Sequence, residues 1–300
     1  MVECDGPNGV NNIMAGYTGT QLAGQSTLGQ TWNEELSERV GELLAQEAKA
    51  LGVCGLYAPG ANIHRSAFGG RNYEYVSEDG LLTGKMVAAE IEGIQGIGVY
   101  CYLKHFVVND QETLRCDGGL CVWTNEQALR EIYLKPFEIA VKEAGATNIM
   151  SAYTRLGTTP VAESSALLTQ VLRNEWGFHG CVVTDCILSA ATCDVDRALR
   201  AGNDLFLTFL ENTRMDASTT STAAGHQALR RAAHDILYPI ANSDAIQTAQ
   251  YAPLNILQIA IIVFDAVTGG LLVLYFVRRH RKMKLWRAQE QAKKLGDGKE

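Results

Sequence analysis

The sequence predicts an α/β protein in which short parallel strands alternate with amphipathic helices. Short apolar segments have the composition of buried strands, and the longer segments between them repeat apolar residues at helical spacing. This alternation is typical of a parallel sheet covered by helices. The predicted strands are Val53–Tyr57, Val99–Leu103, Asn148–Ala152, Cys181–Thr184 and Asp204–Leu207.

The predicted helices carry recognisable start and stop signals. Asn33 is placed to cap a helix at Glu34–Ala50. Thr124 begins a capping box for a helix that extends to Lys142, within which Pro136 should mark a kink or a break. The remaining segments are predicted as helices at Leu82–Gln95, Ser164–Trp176 and Asp194–Arg200, and as a loop or linker at Asn212–Gly225.

Composition and charge indicate a folded, acidic body with a basic tail. The chain has 300 residues, of which 47% are hydrophobic and 20% charged. From Arg278 onward there are 9 Lys/Arg and 3 Asp/Glu, against 17 and 30 before it, so the tail is about +6 and the body about −13. An acidic body argues against nucleic acid as a partner, because phosphate binding requires clustered cations.

An apolar segment, Leu254–Val277, precedes the basic tail. At 1.5 Å per residue it is long enough to cross a hydrocarbon core of roughly 30 Å, although Gln258 and Asp265 interrupt it. We therefore predict a transmembrane helix at 254–277; the alternative is a buried core helix. The cationic tail, 278–300, is then expected in the cytoplasm and the body outside the cell, which makes this a single-pass protein of the cell membrane.

No secretory signal peptide is predicted at the N-terminus, since Met1–Asp5 is neither basic nor followed by an apolar stretch. This conflicts with an external body. The chain has eight cysteines and no CxxC pair, which argues against a zinc ribbon. His64 and His105 do not have the spacing of metal ligands, so we expect no metal site. Cys116 and Cys121 bracket a glycine-rich loop and are candidates for a small disulfide if that loop lies outside the cell.

Charged and hydrogen-bonding residues follow the predicted strands. In a parallel α/β fold the carboxyl ends of the strands lie at one rim, as in a barrel, so these side chains should meet there. Cations and neutral donors around carboxylates suit a polyhydroxylated ligand, and nearby cations keep an Asp ionised as a nucleophile. The candidates are Asp5 (in an Asp-Gly-Pro turn), Arg71, Lys104, His105, Tyr153 and Asp185.

Structural alternatives exist for these candidates. A strand-end residue such as Asp185 is often a helix cap, and Lys104-His105 could be a satisfied structural pair. Arg71 could brace its loop by pairing with Glu74. Tyr153 could be a core aromatic residue.

Short sequence motifs resemble one enzyme family when they are taken in order. The motifs are Gly70–Glu74, Lys104–Phe106 with Asn109 and Gln111-Glu112, Glu131–Glu138, Met150–Tyr153, Val183–Asp185 and Ala201–Asp204. Together they resemble glycoside hydrolase family 3, over a region from Asp5 to about Asn242.

The resemblance implies a TIM-type (β/α) barrel, here at residues 1–245. It implies that Asp185 is the nucleophile of a retaining, exo-acting, β-glucosidase-like glycosidase, which hydrolyses terminal sugars of β-linked glycosides through a glycosyl-enzyme. It also implies that Asp5, Arg71, Lys104, His105 and Tyr153 line the sugar pocket, with no cofactor. The family's acid/base usually comes from an α/β-sandwich domain, which we do not find after Asn242.

Two further departures from the family pattern concern the barrel itself. Cys186 follows the nucleophile where an aromatic residue is usual. Only Met1–Cys4 precede Asp5, so we expect an incomplete barrel whose first strand is missing. A gene fragment, or a start site placed too late, would explain the missing strand, the missing acid/base and the missing signal peptide together.

Two other functions are compatible with the sequence. One is a catalytically impaired fragment or membrane-held sugar-binding remnant, which a carboxylic acid roughly 5–5.5 Å from Asp185 would argue against. Glu112 and Glu163 are the candidates within the chain, although both fit structural roles. The other is an aldolase-like barrel with Lys104 as a Schiff base, which is disfavoured because His105 is adjacent.

Overall fold

The structure, a computed structural model, describes residues 1–12, 16–116, 119–189, 192–209, 214–250 and 256–296. The chain divides into two compact units, Met1–Ala252 and Pro253–Glu300. Among the described residues, the first unit contains the sheets and nine α-helices, and the second contains one long α-helix.

The main sheet is a curled parallel half-barrel. Its strand order is β10-β7-β5-β4-β1-β2-β3, in which the first five strands are parallel and β2 and β3 form an antiparallel extension. A small second sheet has the order β6-β8-β9. The strands are β1 Val2–Asp5, β2 Asn11–Asn12, β3 Tyr17–Thr18, β4 Val53–Tyr57, β5 Tyr100–Phe106, β6 Cys121–Val122, β7 Asn148–Ser151, β8 Arg155–Leu156, β9 Thr159–Pro160 and β10 Cys181–Thr184.

Helices follow most of the parallel strands and cover the sheet. The α-helices are α1 Gln25–Gly29, α2 Glu34–Ala50, α3 Gly80–Gly96, α4 Glu126–Ala128, α5 Lys135–Lys142, α6 Val195–Ala201, α7 Ala217–Thr220, α8 Ala223–Ala241, α9 Ala245–Gln250 and α10 Ile256–Gly296. Leu129–Tyr133 and Ala166–Glu175 are π-helical, and Asn72–Glu74 and Val161–Glu163 are 3₁₀ turns.

The packing of α2 on α3 shows why this part of the sequence folds as predicted. Asn33 caps α2, since its Oδ1 accepts a hydrogen bond of 3.0 Å from the Leu36 N–H. Gly41 and Gly93 let the two helices approach closely, because a Cβ at Gly41 would lie 2.2 Å from the Glu90 carbonyl oxygen. The buried faces of both helices join the main core beside β4 and β5.

Two predictions on secondary structure are corrected and one is confirmed. Asn125, not Thr124, caps the next helix by accepting from the Ala128 N–H at 2.8 Å. The helix is broken as expected, because Pro136 lies in the first turn of α5 after a π-helical segment. Asp204–Leu207 makes one isolated parallel bridge to β10, between Leu205 and Val183, rather than a strand.

Part of the predicted loop at Asn212–Gly225 is helical. It contains α7 and the start of α8, which Thr222 caps at the Gly225 N–H. Residues 210–213 lie outside the described residues. The polar composition of this segment suggested a linker, but Ser and Thr also favour helix N-caps.

A short strand, β1, leads into Asp5. We expected the strand before Asp5 to be missing, and the structure corrects this. Val2–Asp5 pairs in parallel with β4, with Cys4 opposite Leu56. Four residues with a mixed polar and apolar pattern carry too weak a signal to be recognised without their neighbour.

The second unit is the helix α10. Its segment Ile259–Lys284 has a mean hydropathy of 2.2, and its apolar stretch is not buried within the structure. By length and composition alone, this helix is suitable to cross a membrane. The predicted span 254–277 overlaps it, but residues 251–255 lie outside the described residues.

Candidate active site

The structure brings the six predicted site residues to one rim of the half-barrel. Asp5 ends β1, Lys104 and His105 lie near the end of β5, and Asp185 directly follows β10. Tyr153 lies just after β7 and Arg71 in the segment after β4. They form two neighbouring groups, which we call the ion-pair ladder (Asp5, Lys104, Glu74 and Arg71) and the Asp185 group (Asp185, His105, Arg115, Tyr153 and Cys186).

Alternating charges hold the ion-pair ladder together. Lys104 Nζ lies 3.1 Å from Asp5 Oδ1 and 3.0 Å from Glu74 Oε1. Arg71 donates to both oxygens of Glu74, from Nε at 2.6 Å and from Nη2 at 2.7 Å. Burial raises the pKa of Glu74, but Lys104 and Arg71 outweigh burial and hold this pKa below its usual range. Glu74 was predicted only as the alternative partner of Arg71, and that pairing is confirmed.

A pocket of about 610 Å³ opens over the ladder. Its wall includes the whole ladder, the Gly6–Asn11 turn and Tyr73. The side chain of Asp5 is 63% exposed, whereas that of Lys104 is 3% exposed. The Asp5 carboxylate is therefore accessible from solvent, and the Lys104 ammonium group that it contacts is buried. Asp185 is not among the described residues that line this pocket. It lies beside the pocket wall, because it neighbours His105, which directly follows the wall residue Lys104.

Asp185 is held by main-chain hydrogen bonds rather than by close ion pairs. Its N–H donates to the Ser151 carbonyl at 3.0 Å, and its Oδ1 accepts from the Cys186 N–H at 2.8 Å. Its Oδ2 is 3.5 Å from Arg115 Nη1 and 3.8 Å from His105 Nε2. Burial raises the pKa of Asp185, and the more distant cations, led by Arg115, only reduce this effect. We had expected nearby cations to dominate.

Arg115 is the site residue that the sequence analysis missed. Besides approaching Asp185, its Nε lies 2.7 Å from Glu112 Oε2, and its guanidinium lies over the Tyr153 ring at 4.7 Å from the centroid. The available signal was its position three residues after Glu112, at the end of a motif already recognised. An arginine inside a loop is usually solvated, so this signal was weak.

His105 is clamped through its main chain. Asn62 accepts from the His105 N–H at 2.8 Å and donates to the His105 carbonyl at 2.9 Å. Burial lowers the pKa of His105 well below its usual range, and Arg71, Lys104 and Arg115 add to this effect. The imidazole is therefore neutral at physiological pH.

Tyr153 supports the Asp185 group. Its residue is 6% exposed, and its hydroxyl donates to the Cys186 carbonyl oxygen. The ring lies against the Arg115 guanidinium. Tyr153 thus contacts the residues on both sides of the Asp185 carboxylate, while a direct contact with sugar stays a prediction.

The two candidate acids have different surroundings. Glu112 belongs near the Asp185 group because it binds Arg115 and accepts from Asn109 Nδ2 at 3.2 Å. Glu163 accepts from the Asp194 N–H at 2.8 Å at the start of α6, and lies 3.8 Å from Arg197. Glu163 therefore has the structural role that we favoured.

Two other expectations concern Lys104 and the cysteines. Lys104 lies between two carboxylates, so it does not have the apolar surroundings that a Schiff-base lysine needs. The disulfide between Cys116 and Cys121 is not formed within the part of the chain that the structure describes.

Comparison with known proteins identifies the family of the chain. The sequence profile of the glycosyl hydrolase family 3 N terminal domain matches residues 1–235. A beta-glucosidase from Rhizobium radiobacter is 44% identical over 204 residues, which are 67% of this chain and 24% of that protein. Beta-glucosidase B from Emericella nidulans is 43% identical over 203 residues, or 67% of this chain and 23% of that protein.

Solved structures are similar over a larger part of the chain. Beta-glucosidase 3B from Thermotoga neapolitana, in complex with glucose, has a TM-score of 0.74 and 34% identity over 85% of this chain and 37% of that one. A beta-glucosidase from Kluyveromyces marxianus has a TM-score of 0.76 and 30% identity over 84% and 31%. The chain spans about a quarter of the length of the curated relatives it matches. It belongs to glycoside hydrolase family 3, with the match to the family's N-terminal domain over residues 1–235.

Proposed function

We propose that the chain is the nucleophile-bearing part of a retaining, exo-acting β-glycosidase of the β-glucosidase type. The observation that carries the proposal is the position of Asp185. One carboxylate oxygen is oriented by a main-chain N–H, and the other lies 3.5 Å from Arg115 Nη1 and 3.8 Å from Nε2 of the neutral His105. That second oxygen is available to attack an anomeric carbon and form a glycosyl-enzyme, which water then hydrolyses.

The ion-pair ladder would bind the terminal non-reducing sugar of a β-linked oligosaccharide or glycoside. Asp5 offers exposed acceptors for hydroxyl groups, and Lys104 and Arg71 offer donors that Glu74 holds in place. Relatives that are named as beta-glucosidases support this substrate class.

The general acid/base would come from an α/β-sandwich domain outside these 300 residues. The two acids considered within the chain are already bound to other groups, Glu112 to Arg115 and Glu163 to the Asp194 N–H. The chain alone should therefore hydrolyse aryl glycosides with activated leaving groups slowly. Natural disaccharides should be cleaved about 10²–10⁴-fold more slowly than by an enzyme with its acid.

Covalent trapping tests the role of Asp185. A 2-fluoro glycoside with a good leaving group should label the full chain, because fluorine slows hydrolysis of the intermediate and the leaving group needs little protonation. Peptide mass spectrometry should locate the label on Asp185, and Asp185→Ala should abolish it. Glu163→Gln, at the start of α6, is the matched control and should label normally. A label on another carboxylate would overturn the nucleophile assignment.

A sugar-binding remnant without catalysis is the second candidate function. Two observations favour it: burial raises the pKa of Asp185, and Cys186 stands where the family usually has an aromatic residue. It predicts that glucose binds, as measured by calorimetry, while no covalent label forms even with the most activated glycoside.

We also propose that 254–277 anchors the protein in the cell membrane, with the tail 278–300 in the cytoplasm and the body outside. The apolar helix followed by Arg278 and Arg279 supports this orientation. Cys121 is exposed, so an impermeant thiol reagent should label it in intact cells, and Cys121→Ser should lower this labelling. Labelling that appears only after lysis would contradict the proposed orientation.

A further inference from the structure

A neutral, buried histidine carries one ring proton, and the nitrogen that carries it decides what the ring can do. His105 is 1% exposed, and its Nε2 is the ring atom near Asp185 Oδ2, at 3.8 Å. A proton on Nε2 directs a positive N–H dipole to the carboxylate, whereas a bare Nε2 directs a lone pair to it. The groups that bind Nδ1 determine which form exists.

Tyr75 is the partner of Nδ1. Its hydroxyl oxygen lies 3.0 Å from His105 Nδ1, and the two rings meet edge to face at a centroid distance of 6.1 Å. Tyr75 is itself 2% exposed. Burial raises the pKa of Tyr75, so its hydroxyl proton is retained throughout the physiological range.

Asn109 determines the direction of the Tyr75 hydrogen bond. Its Nδ2 donates to the Tyr75 hydroxyl at 3.0 Å and to Glu112 at 3.2 Å, while its Oδ1 accepts from Arg115 at 3.3 Å. Glu112 accepts and Arg115 donates, so the Asn109 amide has a single orientation that satisfies both. The Tyr75 oxygen therefore accepts from Asn109, and its own proton is directed to His105 Nδ1. If His105 Nδ1 carried the proton and donated it to the Tyr75 oxygen, the buried hydroxyl proton of Tyr75 would have no partner, which is costly.

We propose that Tyr75 is a positioning residue that fixes His105 in the Nε2–H tautomer and so orients one N–H dipole at the Asp185 carboxylate. At 3.8 Å the pair is longer than a direct hydrogen bond, so the dipole acts through space. Its effect on catalysis depends on the proposed function, but the tautomer itself does not. Glu112 acquires a role here too, because it orients Asn109.

Nitrogen NMR of the histidine rings tests the tautomer directly. The full chain, labelled with ¹⁵N-histidine and kept in detergent, contains six histidines, and His105→Gln identifies the His105 signals. In the wild-type protein at neutral pH we expect Nε2 protonated and Nδ1 bare. A bare Nε2, or a doubly protonated ring, would overturn the proposal. The variant His105→Gln serves only to assign the signals, and the measurement requires no enzymatic activity.

The variant Tyr75→Phe tests whether Tyr75 is the cause. Without the hydroxyl, Nδ1 loses its donor, and we expect both tautomers to appear in the His105 spectrum. Tyr100→Phe is the matched control, because it removes another buried phenol, which donates to Glu3 at 2.7 Å. His105 should stay Nε2–H in that control. An unchanged His105 spectrum in folded Tyr75→Phe would show that another group selects the tautomer.

Covalent labelling connects the tautomer to the reaction. We expect Tyr75→Phe to slow labelling of Asp185 by a 2-fluoro glycoside about tenfold, the rate equivalent of one hydrogen bond, and Tyr100→Phe to leave the rate unchanged. If the wild-type protein is not labelled at all, the proposed function fails while the NMR result still decides the tautomer. Equal rates in wild type and Tyr75→Phe would remove the positioning role.

Discussion

Glu74 and Asp185 are two buried carboxylates in the same site with opposite electrostatic outcomes. Cationic nitrogens of Lys104 and Arg71 lie 2.6–3.0 Å from Glu74, and its pKa is lowered despite its burial. The nearest cationic nitrogen to Asp185 is 3.5 Å away, and its pKa is raised because burial prevails. The distance to the cations, more than their number, therefore decides which carboxylate is stabilised.

This difference separates binding from reactivity. Glu74 uses its charge to hold Lys104 and Arg71 in the pocket wall, so its oxygens are already occupied. Asp185 keeps one oxygen without a short bond, which costs stability but leaves a lone pair for chemistry. Replacing each carboxylate by its neutral amide should therefore change the free energy of unfolding in opposite directions.

The largest expected effect is the loss of stability in Glu74→Gln. The substitution leaves Lys104 and Arg71 buried with a neutral partner, and breaking a buried ion pair typically costs about 3–5 kcal/mol. The ionised Glu74 carboxyl contributes to the free energy of unfolding. This contribution is fully present above the unfolded-state pKa of the carboxyl and is lost as pH falls through its lowered folded-state pKa. Urea denaturation of the full chain at neutral pH and in acid measures both effects.

The matched substitution Asp185→Asn should have the opposite sign. Because the folded-state pKa of Asp185 is raised, stability associated with this group is fully present below the unfolded-state pKa and decreases as pH rises through the folded-state pKa. Replacing Asp185 by a neutral isostere should therefore leave the free energy of unfolding at pH 7 unchanged or increase it. If Asp185→Asn destabilised the protein as strongly as Glu74→Gln, the contrast between the two carboxylates would be wrong.

Arg115→Ala should move the pH profile of Asp185 labelling. In the wild-type protein the labelling rate should rise with pH, as Asp185 ionises, and reach a plateau, with its midpoint above the usual range of an aspartate. Removing Arg115 takes away the largest effect that opposes burial, so the midpoint should shift to higher pH. Arg115→Lys keeps the charge and should shift the profile less. Identical midpoints in Arg115→Ala and wild type would show that Arg115 does not control the charge of Asp185.

The smallest expected effect is that of Tyr153→Phe. The ring remains beneath Arg115, and the hydrogen bond from the hydroxyl to the Cys186 carbonyl is lost, which should cost about 1 kcal/mol of unfolding free energy. Thermal denaturation and the labelling rate measure this. Tyr153→Leu, which also removes the aromatic face, is the comparison and should slow labelling further. Equal behaviour of the two variants would show that the ring does not position Arg115.

Strands and helices with strong local signals could be predicted without the structure. The cap of α2 at Asn33, the strands β4 and β10 and the break near Pro136 all follow from residues close together in sequence. The prediction failed where a neighbour decides the outcome. β1 is recognisable only beside β4, and the segment after Asp204 forms bridges rather than a strand.

The sequence by itself determined the parallel α/β architecture and the rim at which Asp5, Lys104, His105 and Asp185 meet, because strand ends and apolar spacing are local properties. Only the tertiary structure decided how these groups are paired. Arg115 reaches Asp185 across 70 residues of sequence, and Tyr75 reaches His105 across 30. The direction of each pKa shift depends on burial and on differences of a few tenths of an ångström in the distance to the nearest cation. The spacing of residues along the chain does not encode these quantities.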